Sequence, residues 1–452
     1  MRKSTFIKCV LLLALVFIFL QYFSFTSLYS VGSTAKNGRN SGAQTAAILD
    51  LVNTFTSKCH HRDIPIFVIE PEVLQSLLTV SESESQLYCV HLCSAGDVIS
   101  LGTFGEDWEK RGSLLHELRD LDLVPNEVTS PDPRLLSLER LTVPSIPTHY
   151  LIHPSGRIRP LIHLVVFYKR AGNFLWHSHL NLSNKTSALH LEGQSLPFGN
   201  SAGGYDRFPV HGNRIDGIWL HFPHTIKEFL AQIPHSKFIE CDYHRAQVFL
   251  NKNPQDNTEE AQQFLRKGRQ LLSRGKEILD DLGVPFWLSS GTCLGWYRQC
   301  GIISYSKDID FGVWIKNYQE DIVAAFEGRG FSLKHVFGKE SDSYELSFKA
   351  GDIKIDLFFF YEEPKYMWNG GTEAWTGQKY KYFFPKFDVC WTEFLGLRVR
   401  VPCPTLPYVT ANYGQNWNYP VRHWDWMTSP ANVKENGVWP KHEWDKVIQV
   451  YE

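Results

Sequence analysis

Three aspartates in the C-terminal half constrain the fold of this chain more than any other feature. Asp308 and Asp310 stand two positions apart in an extended segment, and Asp356 lies inside the apolar run 354–361, a pattern typical of a buried strand. Residues i and i+2 of a strand point to the same side, so the first two carboxylates should lie together. Paired carboxylates repel, and a buried aspartate is costly, unless a cation or another partner offsets the charge. The three acids therefore predict a strand-based divalent-cation site.

A glycine turn precedes the acidic pair. Residues 285–290 have the character of a short strand, and Gly291 and Thr292 open a helical segment that extends to Gln299. A strand that ends in such a turn presents backbone N–H groups and a hydroxyl to an anion, as helix N-termini do. The order of turn, acidic pair and buried acid favours a metal-bound site for phosphoryl transfer.

A second Asp-x-Asp sequence shows how strongly the motif depends on its context. So short a motif is expected by chance about once in a chain of this length. Asp120 and Asp122 follow residues 116–119 at the end of a predicted helix, with no glycine turn before them and no third acid in a later strand. They are interpreted as a solvated helix end.

Charge and missing motifs exclude several functional classes. The sequence contains no GxGxxG, Walker, GxSxG or HExxH motif, which disfavours dinucleotide redox chemistry, P-loop hydrolysis, and serine or zinc hydrolysis. Lys and Arg number 46 against 48 Asp and Glu, so the formal net charge is −2. That balance offers no electrostatic footprint for a nucleic acid, and no nucleic-acid partner is expected. With 43% hydrophobic residues the chain is predicted to be folded throughout its main part.

The N-terminus predicts a membrane anchor. Residues 1–8 carry basic side chains, and residues 9–28 form an apolar run that makes a helix of about 30 Å, the thickness of one hydrocarbon core. Positive charge before the span places the tail in the cytoplasm and the rest in the lumen, as a type II single-pass protein. A cleaved signal peptide is the alternative. Residues 29–45, rich in Gly, Ser and Asn, are interpreted as a stem.

The luminal part is predicted to be α/β (α+β) and to divide near residue 250. Residues 46–250 alternate apolar runs with helical stretches in a mixed α/β pattern that contains no catalytic motif. Residues 251–257 are polar and turn-rich, and are interpreted as a linker. Residues 258–452 are predicted to form the catalytic domain. It begins with an amphipathic helix that starts at Thr258 and stops before Gly283.

In a luminal location, two sequons can be glycosylated and the cysteines can form disulfide bonds. Asn181 and Asn184 are acceptors for N-glycosylation if they lie on a surface loop. Cys89 and Cys93 fall in an apolar run, and on a strand they would lie about 13 Å apart, beyond disulfide reach. Each is therefore predicted to bond a distant cysteine.

Two histidine-containing clusters could suggest zinc. His91 lies between the two cysteines, and His177 and His179 stand two positions apart on a predicted strand. Neither cluster brings a second matching ligand pair, so structural His and Cys residues are the preferred interpretation.

The segment around the acids resembles the LicD family of phosphosugar and phosphocholine transferases, which have a nucleotidyltransferase fold. The resemblance is strongest over residues 283–314, where Gly291-Thr-Cys-Leu-Gly-Trp-Tyr-Arg298 precedes Ile302-Ile-Ser-Tyr-Ser-Lys-Asp-Ile-Asp310. It is looser before residue 140. Further matching runs lie at residues 341–348, 367–371, 384–387, 390–394, 411–414 and 444–451.

Within this family the chain is similar to Golgi members that act in the glycosylation of α-dystroglycan. The resemblance implies transfer of ribitol 5-phosphate from CDP-ribitol to the terminal N-acetylgalactosamine of the phosphorylated O-mannosyl glycan of α-dystroglycan, with release of CMP. It also implies a Golgi membrane location and other O-mannosylation glycosyltransferases as partners. It leaves homo-oligomerisation open.

The resemblance also implies roles for individual residues. Asp308 and Asp310 would hold Mg²⁺ or Mn²⁺, and Asp356 would complete the site and help deprotonate the acceptor hydroxyl. Contacts to the donor phosphates are expected from Ser290, Gly291, Thr292 and Arg298, followed by Tyr305 and Lys307.

Two aromatic segments are left with alternative interpretations. A flexible loop that covers the donor, or a plain turn, is predicted for Trp368, Asn369 and Gly370. Stacking on glycan, or packing in the core, is predicted for Trp417, Trp424 and Trp426.

Two other functional classes stay open at this point. A glycosyltransferase that uses a nucleotide sugar and an Asp-x-Asp motif would also be a luminal type II protein, but its motif ordinarily follows several βα units. A non-catalytic partner that recruits other enzymes of O-mannosylation is disfavoured by the intact acids. A transfer assay separates these classes from the phosphotransferase.

Overall fold

The computed structural model describes residues 41–79, 89–181 and 196–451, with side chains from residue 45 onward. The predicted tail, membrane anchor and most of the stem lie outside the described residues. Within the described ranges no helix has the length and apolar character needed to cross a membrane. Two nine-stranded sheets and a two-stranded hairpin form the fold of these ranges.

The first sheet lies between residues 67 and 223. Its strands are β1 Phe67–Val68, β2 Val98–Phe104, β3 Leu123–Pro131, β4 Ser145–Pro154, β5 Leu161–Arg170, β6 Phe174–His177, β7 Gly203–Asp206, β8 Val210–Ile215 and β9 Ile218–Pro223. They follow the order β3-β4-β5-β2-β1-β9-β8, with β6 and β7 extending from β5. β5 is buried along almost its whole length, which explains its unbroken apolar sequence.

Helices cover this sheet and bury its apolar side chains. They are α1 Ser41–His60, α2 Pro71–Thr79, α3 Gly105–Trp108, α4 Leu114–Asp120 and α5 Ile226–Gln232. Fully buried residues from three of them, Phe55, Val73 and Leu118, join the strands in one hydrophobic cluster. The mixed α/β character predicted for residues 46–250 is confirmed.

The second sheet lies in the C-terminal half. Its strands are β10 Phe286–Leu288, β11 Asp308–Trp314, β12 Ser332–Lys339, β13 Asp342–Ala350, β14 Ile353–Glu362, β15 Tyr366–Thr372, β16 Gln378–Pro385, β19 Val433–Val438 and β20 Ile448–Val450, and the hairpin strands are β17 Asp388–Phe394 and β18 Leu397–Cys403. The main order is β19-β16-β15-β14-β13-β12-β20. β11 adds to the free side of β14 and pairs with it in parallel.

The helices of this half are α6 Tyr243–Lys252, α7 Glu259–Asp281, α8 Ser290–Gln299, α9 Asp321–Gly328, α10 Thr405–Tyr413 and α11 Trp444–Val447. The predicted start of α7 is confirmed, since the Thr258 hydroxyl accepts a hydrogen bond from the Ala261 N–H group as an N-cap. Gly283, at φ +67°, ends it. A Cβ on Gly275 would lie 2.5 Å from Ile355 Cδ1, so this glycine lets α7 approach β11 and β14 closely.

The disulfide prediction for Cys89 and Cys93 is wrong. These two cysteines are bonded to each other, with Cα atoms 5.7 Å apart. The chain forms a 3₁₀ turn at Leu92–Ala95 instead of a strand, and this turn shortens the distance between them. The structure also pairs Cys241 with Cys300 and Cys390 with Cys403, and leaves Cys59 and Cys293 buried as free thiols.

A buried arginine connects the two halves. Arg170, at the end of β5, donates to Glu240 at 2.6 Å and to Glu393 of β17 at 3.0 Å. Its side chain is only 3% exposed. Arg398 of β18 reaches back to Asp206 of β7 and to the Gly204 carbonyl. The β17–β18 hairpin therefore fastens the second half of the chain to the first sheet.

Three buried histidines lie together in the first sheet. His149 and His163 are in hydrogen-bond contact at 3.1 Å, and His177 packs against the same group of rings. Burial lowers the pKa of His163 to about 3 and that of His177 to about 4, and it also lowers the pKa of His149. All three are therefore neutral in the folded protein at neutral pH. They do not form a metal-ligand group, and neither His91 nor His179 joins such a group within the described ranges.

Acid should destabilise the fold through this cluster. The unfolded chain binds protons at these histidines below pH 6.5 while the folded chain does not, so stability falls as the pH drops from 6.5 toward 4. At pH 5 the loss from His177 alone is about 2 kcal/mol. His177→Asn keeps a donor near Nδ1 but does not titrate, and should show a smaller drop in Tm between pH 7 and pH 5. His116→Asn, at an exposed site, is the control, and equal drops for both variants would contradict the expectation.

Candidate active site

The three predicted aspartates converge on two adjacent strands. In the parallel pair β11–β14, Asp310 stands opposite Asp356, and Asp308 stands opposite Lys354. Each aspartate offers a carboxylate oxygen, and these three oxygens lie within 4.8 Å of one another. The convergence predicted from the i, i+2 spacing and the buried third acid is confirmed. Among the residues that the structure describes, this is the one cluster of acids, histidines or cysteines able to hold a metal ion.

The carboxylates carry more negative charge than their surroundings stabilise. Burial raises the pKa of Asp310 well above its usual range, and the nearby Asp308 and Asp356 raise it further. Burial also raises the pKa of Asp308, with an added contribution from Asp356. Asp310 and Asp356 are buried, whereas Asp308 is half-buried. Such a cluster needs added positive charge to be ionised as a whole.

Lys354 supplies part of that charge and was missed by the sequence reasoning. Its ammonium donates to Asp356 Oδ2 at 3.0 Å and lies 3.9 Å from Asp308 Oδ2. Burial alone would lower the pKa of Lys354, but the attraction of Asp356 and Asp308 outweighs it and raises the pKa above its usual value. The signal was present in the sequence, because Lys354 and Asp356 are two positions apart on one strand.

Two serine hydroxyls hold the outer two acids in place. Ser347, opposite Asp356 on β13, donates to Asp356 Oδ1, and Ser306 donates to Asp308 Oδ1 at 2.7 Å. Ser347 could not be assigned from the sequence because its position depends on the register between β13 and β14. Each carboxylate thus has a fixed orientation before any ligand binds.

The glycine turn lies directly against the acids, as predicted. The hydroxyl of Thr292 accepts from the Asp310 N–H group at 2.8 Å, and the Thr292 N–H group donates to Asp310 Oδ2 at 3.3 Å. A Cβ on Gly291 would stand 3.3 Å from Asp310 Oδ2, a contact tighter than most side chains make. Ser290 has a positive φ of 40° where α8 begins. Glycine at 291 therefore allows the helix N-terminus and the acids to share one opening.

Tyrosines from α10 form the back of the site. The Tyr408 hydroxyl lies 2.8 Å from Ser289 Oγ, which fixes the residue just before α8. Burial raises the pKa of Tyr413 well above its usual value, and the charge of Asp310 adds to this shift. Both tyrosines stay neutral hydroxyls that can donate hydrogen bonds. They lie more than 50 residues from Asp356 and about 100 residues from Asp308 and Asp310 in sequence, so the spacing of the acids did not mark them.

The other predicted phosphate contacts are split between two places. Ser290, Gly291 and Thr292 lie at the acid cluster, whereas Arg298 and Tyr305 line a separate cavity that none of the three acids lines. Lys307 is exposed, next to Asp308 in the chain. The structure therefore brings the turn to the acids but places Arg298 in a different cavity.

The prediction of a loop at Trp368, Asn369 and Gly370 is wrong. These residues belong to β15 and are buried, with Trp368 stacked on Tyr361 at 4.1 Å. Trp368 pairs with Tyr361 of β14. Tyr361 lies five residues beyond Asp356 on that strand, which places this pair about 16 Å from Asp356 along the strand. Two adjacent glycines suggested a turn, but the small residues instead allow close packing, since a Cβ on Gly370 would meet Ser343 Oγ at 2.1 Å.

The remaining candidate residues differ in their exposure to solvent. Trp417 packs partly buried against Tyr297, whereas Trp424 packs against Tyr413 and Trp426 against Tyr380, each 39% exposed. Asn181 is exposed, and Asn184 lies outside the described residues. The pair Asp120 and Asp122 is exposed at the end of α4, which confirms the solvated helix end.

The geometry suits a divalent cation and a phosphate group. Three carboxylate oxygens within 4.8 Å match the hard oxygen ligands that Mg²⁺ and Mn²⁺ prefer. The raised pKa values show that added positive charge would be favourable there. The N-terminus of α8 adjoins the acids, and the positive end of a helix dipole favours an anion there. The arrangement can therefore bind a metal-complexed phosphate and place it beside an acceptor.

Two family models match most of the chain. The model described as "Fukutin N-terminal" matches residues 2–269, and the model described as "LicD/FKTN/FKRP, nucleotidyltransferase domain" matches residues 283–404. The second range contains the acid cluster and the glycine turn.

Curated relatives are similar over nearly the full length. Proteins named "Ribitol-5-phosphate transferase FKTN" from Mus musculus and Homo sapiens are each 43% identical over 407 residues, which is 88% of this chain and 88% of theirs. An uncharacterized protein of Caenorhabditis elegans, T07A5.1, is 29% identical over 60% of this chain and 71% of its own length.

Proposed function

Because this chain belongs to the fukutin family of LicD-type proteins, we propose that it is a ribitol-5-phosphate transferase. Its donor is CDP-ribitol, and its acceptor is the terminal N-acetylgalactosamine of the phosphorylated O-mannosyl glycan of α-dystroglycan. One observation carries the proposal: the three carboxylates face the α8 N-terminus within the range that matches the nucleotidyltransferase domain. Other enzymes of O-mannosylation would supply that acceptor.

In the proposed reaction the acceptor hydroxyl oxygen forms a bond to the β-phosphorus of CDP-ribitol, which carries the ribitol. The bond from that phosphorus to the bridging oxygen breaks, and CMP leaves with the bridging oxygen. Positioning and charge neutralisation dominate such transfers. A Mg²⁺ or Mn²⁺ ion held by Asp308, Asp310 and Asp356 would neutralise charge on the donor phosphates.

The chain's own residues orient the groups around this centre. Thr292 fixes Asp310 through two hydrogen bonds, and the positive end of the α8 dipole favours the donor phosphate. Asp356 accepts the proton of the acceptor hydroxyl, with Ser347 and Lys354 holding its two oxygens in place. Lys354 also adds a positive charge that favours the phosphate.

A donor panel tests the proposal. The purified chain is offered CDP-ribitol, other CDP-linked alditols and UDP-linked sugars, together with a phosphorylated O-mannosyl glycopeptide and Mg²⁺ or Mn²⁺. We expect the glycopeptide to gain the mass of one ribitol phosphate from CDP-ribitol, with release of CMP. Transfer of a sugar from a UDP donor, or no transfer from any donor, would overturn the assignment.

For the cellular location we propose the Golgi membrane, with residues 9–28 as a type II anchor. Helix α1 begins at Ser41, and its residues Ile48, Leu51 and Val52 are buried in the first core. A chain that starts between residues 30 and 40, placed behind a cleavable signal peptide, should therefore be secreted and folded. A chain that starts at Asn53 loses those three side chains and should be retained or aggregate. Membrane attachment of the longer form would contradict the predicted anchor, and secretion levels of the two forms measure the outcome.

A further inference from the structure

A cavity of about 420 Å³ lies at the C-terminal end of α8 and is formed by separate segments of the chain. The C-terminal end of α6 and the segment that follows it form one wall, the end of α8 and residues 304–305 form the floor, and residues 420–422 form the rim. Its charged lining residues are Lys252, Asp256, Arg298 and Arg422.

Arg298 at the floor is a buried cation with no carboxylate partner in the part of the chain that the structure describes. Its side chain is almost completely buried at 2% exposure, and its Nε and Nη2 atoms donate to Gln299 Oε1. Tyr305 contributes a further hydrogen bond, and the guanidinium lies 4.5 Å from the centre of the Phe249 ring. All of these partners are neutral, and within the described part of the chain Arg298 forms no ion pair. A buried charge of this kind is costly unless an anion accompanies it.

The rim adds further positive charge. Arg422 is exposed and lies 5.5 Å from the ring of Tyr305, and Lys252 is exposed on the opposite wall. The single acid, Asp256, already accepts from the Thr258 N–H group. Three cations against one acid leave the cavity with a net positive charge.

A second cavity, of about 630 Å³, provides the contrast. It is lined by Lys267, Arg269 and Arg274 on α7, but Lys267 is paired with Asp352 at 2.8 Å, and Arg269 and Arg274 donate to backbone carbonyls. Those cations already have oxygen partners and are not deeply buried. The cavity of Arg298 is therefore the one in which the structure leaves a buried positive charge to be neutralised by a ligand.

The position of the cavity connects it with the reaction site. Tyr305 lines the cavity, and the next residue, Ser306, donates to Asp308 of the acid cluster. Tyr305 and Asp308 are three positions apart, so their Cα atoms lie at most about 11 Å apart. A substrate with a phosphate and one or two sugar rings can reach both sites.

We propose that the Arg298–Arg422 cavity is a second, metal-independent phosphate subsite, which holds a phosphate monoester or diester of one substrate while the acids act on the reacting phosphate. Guanidinium groups suit this ligand because they bind phosphate oxygens in pairs. That the phosphate belongs to a substrate rests on the proposed function. It could come from the phosphorylated acceptor glycan or from the CMP part of the donor, and the experiment separates these sources.

Direct binding tests the subsite without any transfer. With the full-length chain in EDTA, which removes divalent cations from the acids, the binding of CMP and of mannose 6-phosphate is measured by calorimetry. We expect at least one probe to bind, and Arg422→Gln to weaken that binding at least tenfold. Because Arg422 is exposed, the Arg422→Gln variant should fold. The second variant is Arg298→Lys. Arg266→Gln, an exposed arginine on α7 outside both cavities, should bind as wild type does.

Kinetics with the complete substrates identify the source of the phosphate. If the acceptor phosphate occupies the cavity, Arg422→Gln should raise KM for the phosphorylated glycopeptide about tenfold and leave KM for the dephosphorylated glycopeptide unchanged. If CMP occupies it, KM for CDP-ribitol should rise instead. If a probe binds in a way that depends on Arg422 but the chain has no transfer activity, the subsite is supported and only the proposed function is overturned. The subsite would be overturned if the chain transfers ribitol phosphate but no correctly folded variant changes the binding of the probes or the KM of either substrate.

Discussion

Asp356→Asn should abolish transfer while leaving the fold intact. The amide can still accept the hydrogen bond from Ser347, and Lys354 keeps Asp308 as a neighbour, so little packing is lost. The chemistry loses a carboxylate that would hold the metal and accept the acceptor proton. Loss of several kcal/mol of charge stabilisation corresponds to a decrease in kcat of about a thousandfold or more. The measurement is the rate of CMP release with saturating donor and acceptor.

A metal titration separates an enzyme site from a structural one. Mg²⁺ or Mn²⁺ should raise the Tm of wild type by several degrees and that of Asp356→Asn by much less, since binding to the folded state stabilises it. In EDTA the two proteins should melt close together. Asp122→Asn, in the exposed second Asp-x-Asp sequence, should behave as wild type in both assays. Transfer at the wild-type rate by Asp356→Asn would favour the non-catalytic scaffold. A wild-type Tm that does not change when divalent cations are added would favour it as well.

Arg170→Met should cause the largest loss of stability among single changes between the two halves. The substitution leaves Glu240 and Glu393 facing each other without the cation that joins them. The pKa of Glu393 is already raised by burial against the attraction of Arg170, so its charge becomes still less favourable. Breaking such a buried pair costs about 3–5 kcal/mol. The measurement is the midpoint of urea or thermal unfolding of the full chain.

The neighbouring lysine provides a matched control for Arg170. Lys169 pairs with Glu106 at the surface, where both side chains are largely exposed, so Lys169→Met should cost well under about 1 kcal/mol. Adding Glu393→Gln to Arg170→Met should restore part of the lost stability, because one of the two unpaired carboxylates is removed. Equal effects of Arg170→Met and Lys169→Met would show that the buried network does not hold the halves together.

The sequence predicted the parts of the site that depend on neighbouring residues in the chain. The i, i+2 spacing of Asp308 and Asp310, the glycine turn at 291 and the buried position of Asp356 are local patterns, and the structure confirms that they converge. The helix over 259–281 was also predictable, since its cap, its apolar stripe and its terminal glycine are all local signals.

Local signals failed where packing decided the outcome. The glycines at 370 and 371 suggested a loop, but they lie in a buried strand because the fold needs small residues against Ser343 and Trp426. The apolar residues around Cys89 suggested a strand, but a 3₁₀ turn brings Cys89 and Cys93 together. In both cases the same residue types are compatible with two backbone conformations, and contacts distant in sequence select one of them.

The sequence by itself determined the acidic motif, the strand–turn–helix unit before it and the apolar run of the predicted anchor, because each is set by the spacing of adjacent residues. Only the tertiary structure decided that Lys354 and Ser347 hold Asp356, that Tyr413 lies behind Asp310, and that Arg298 faces a cavity with no anionic partner among the described residues. These relations depend on strand register and on segments far apart in the chain. Desolvation and charge become strong only when such segments meet in the interior.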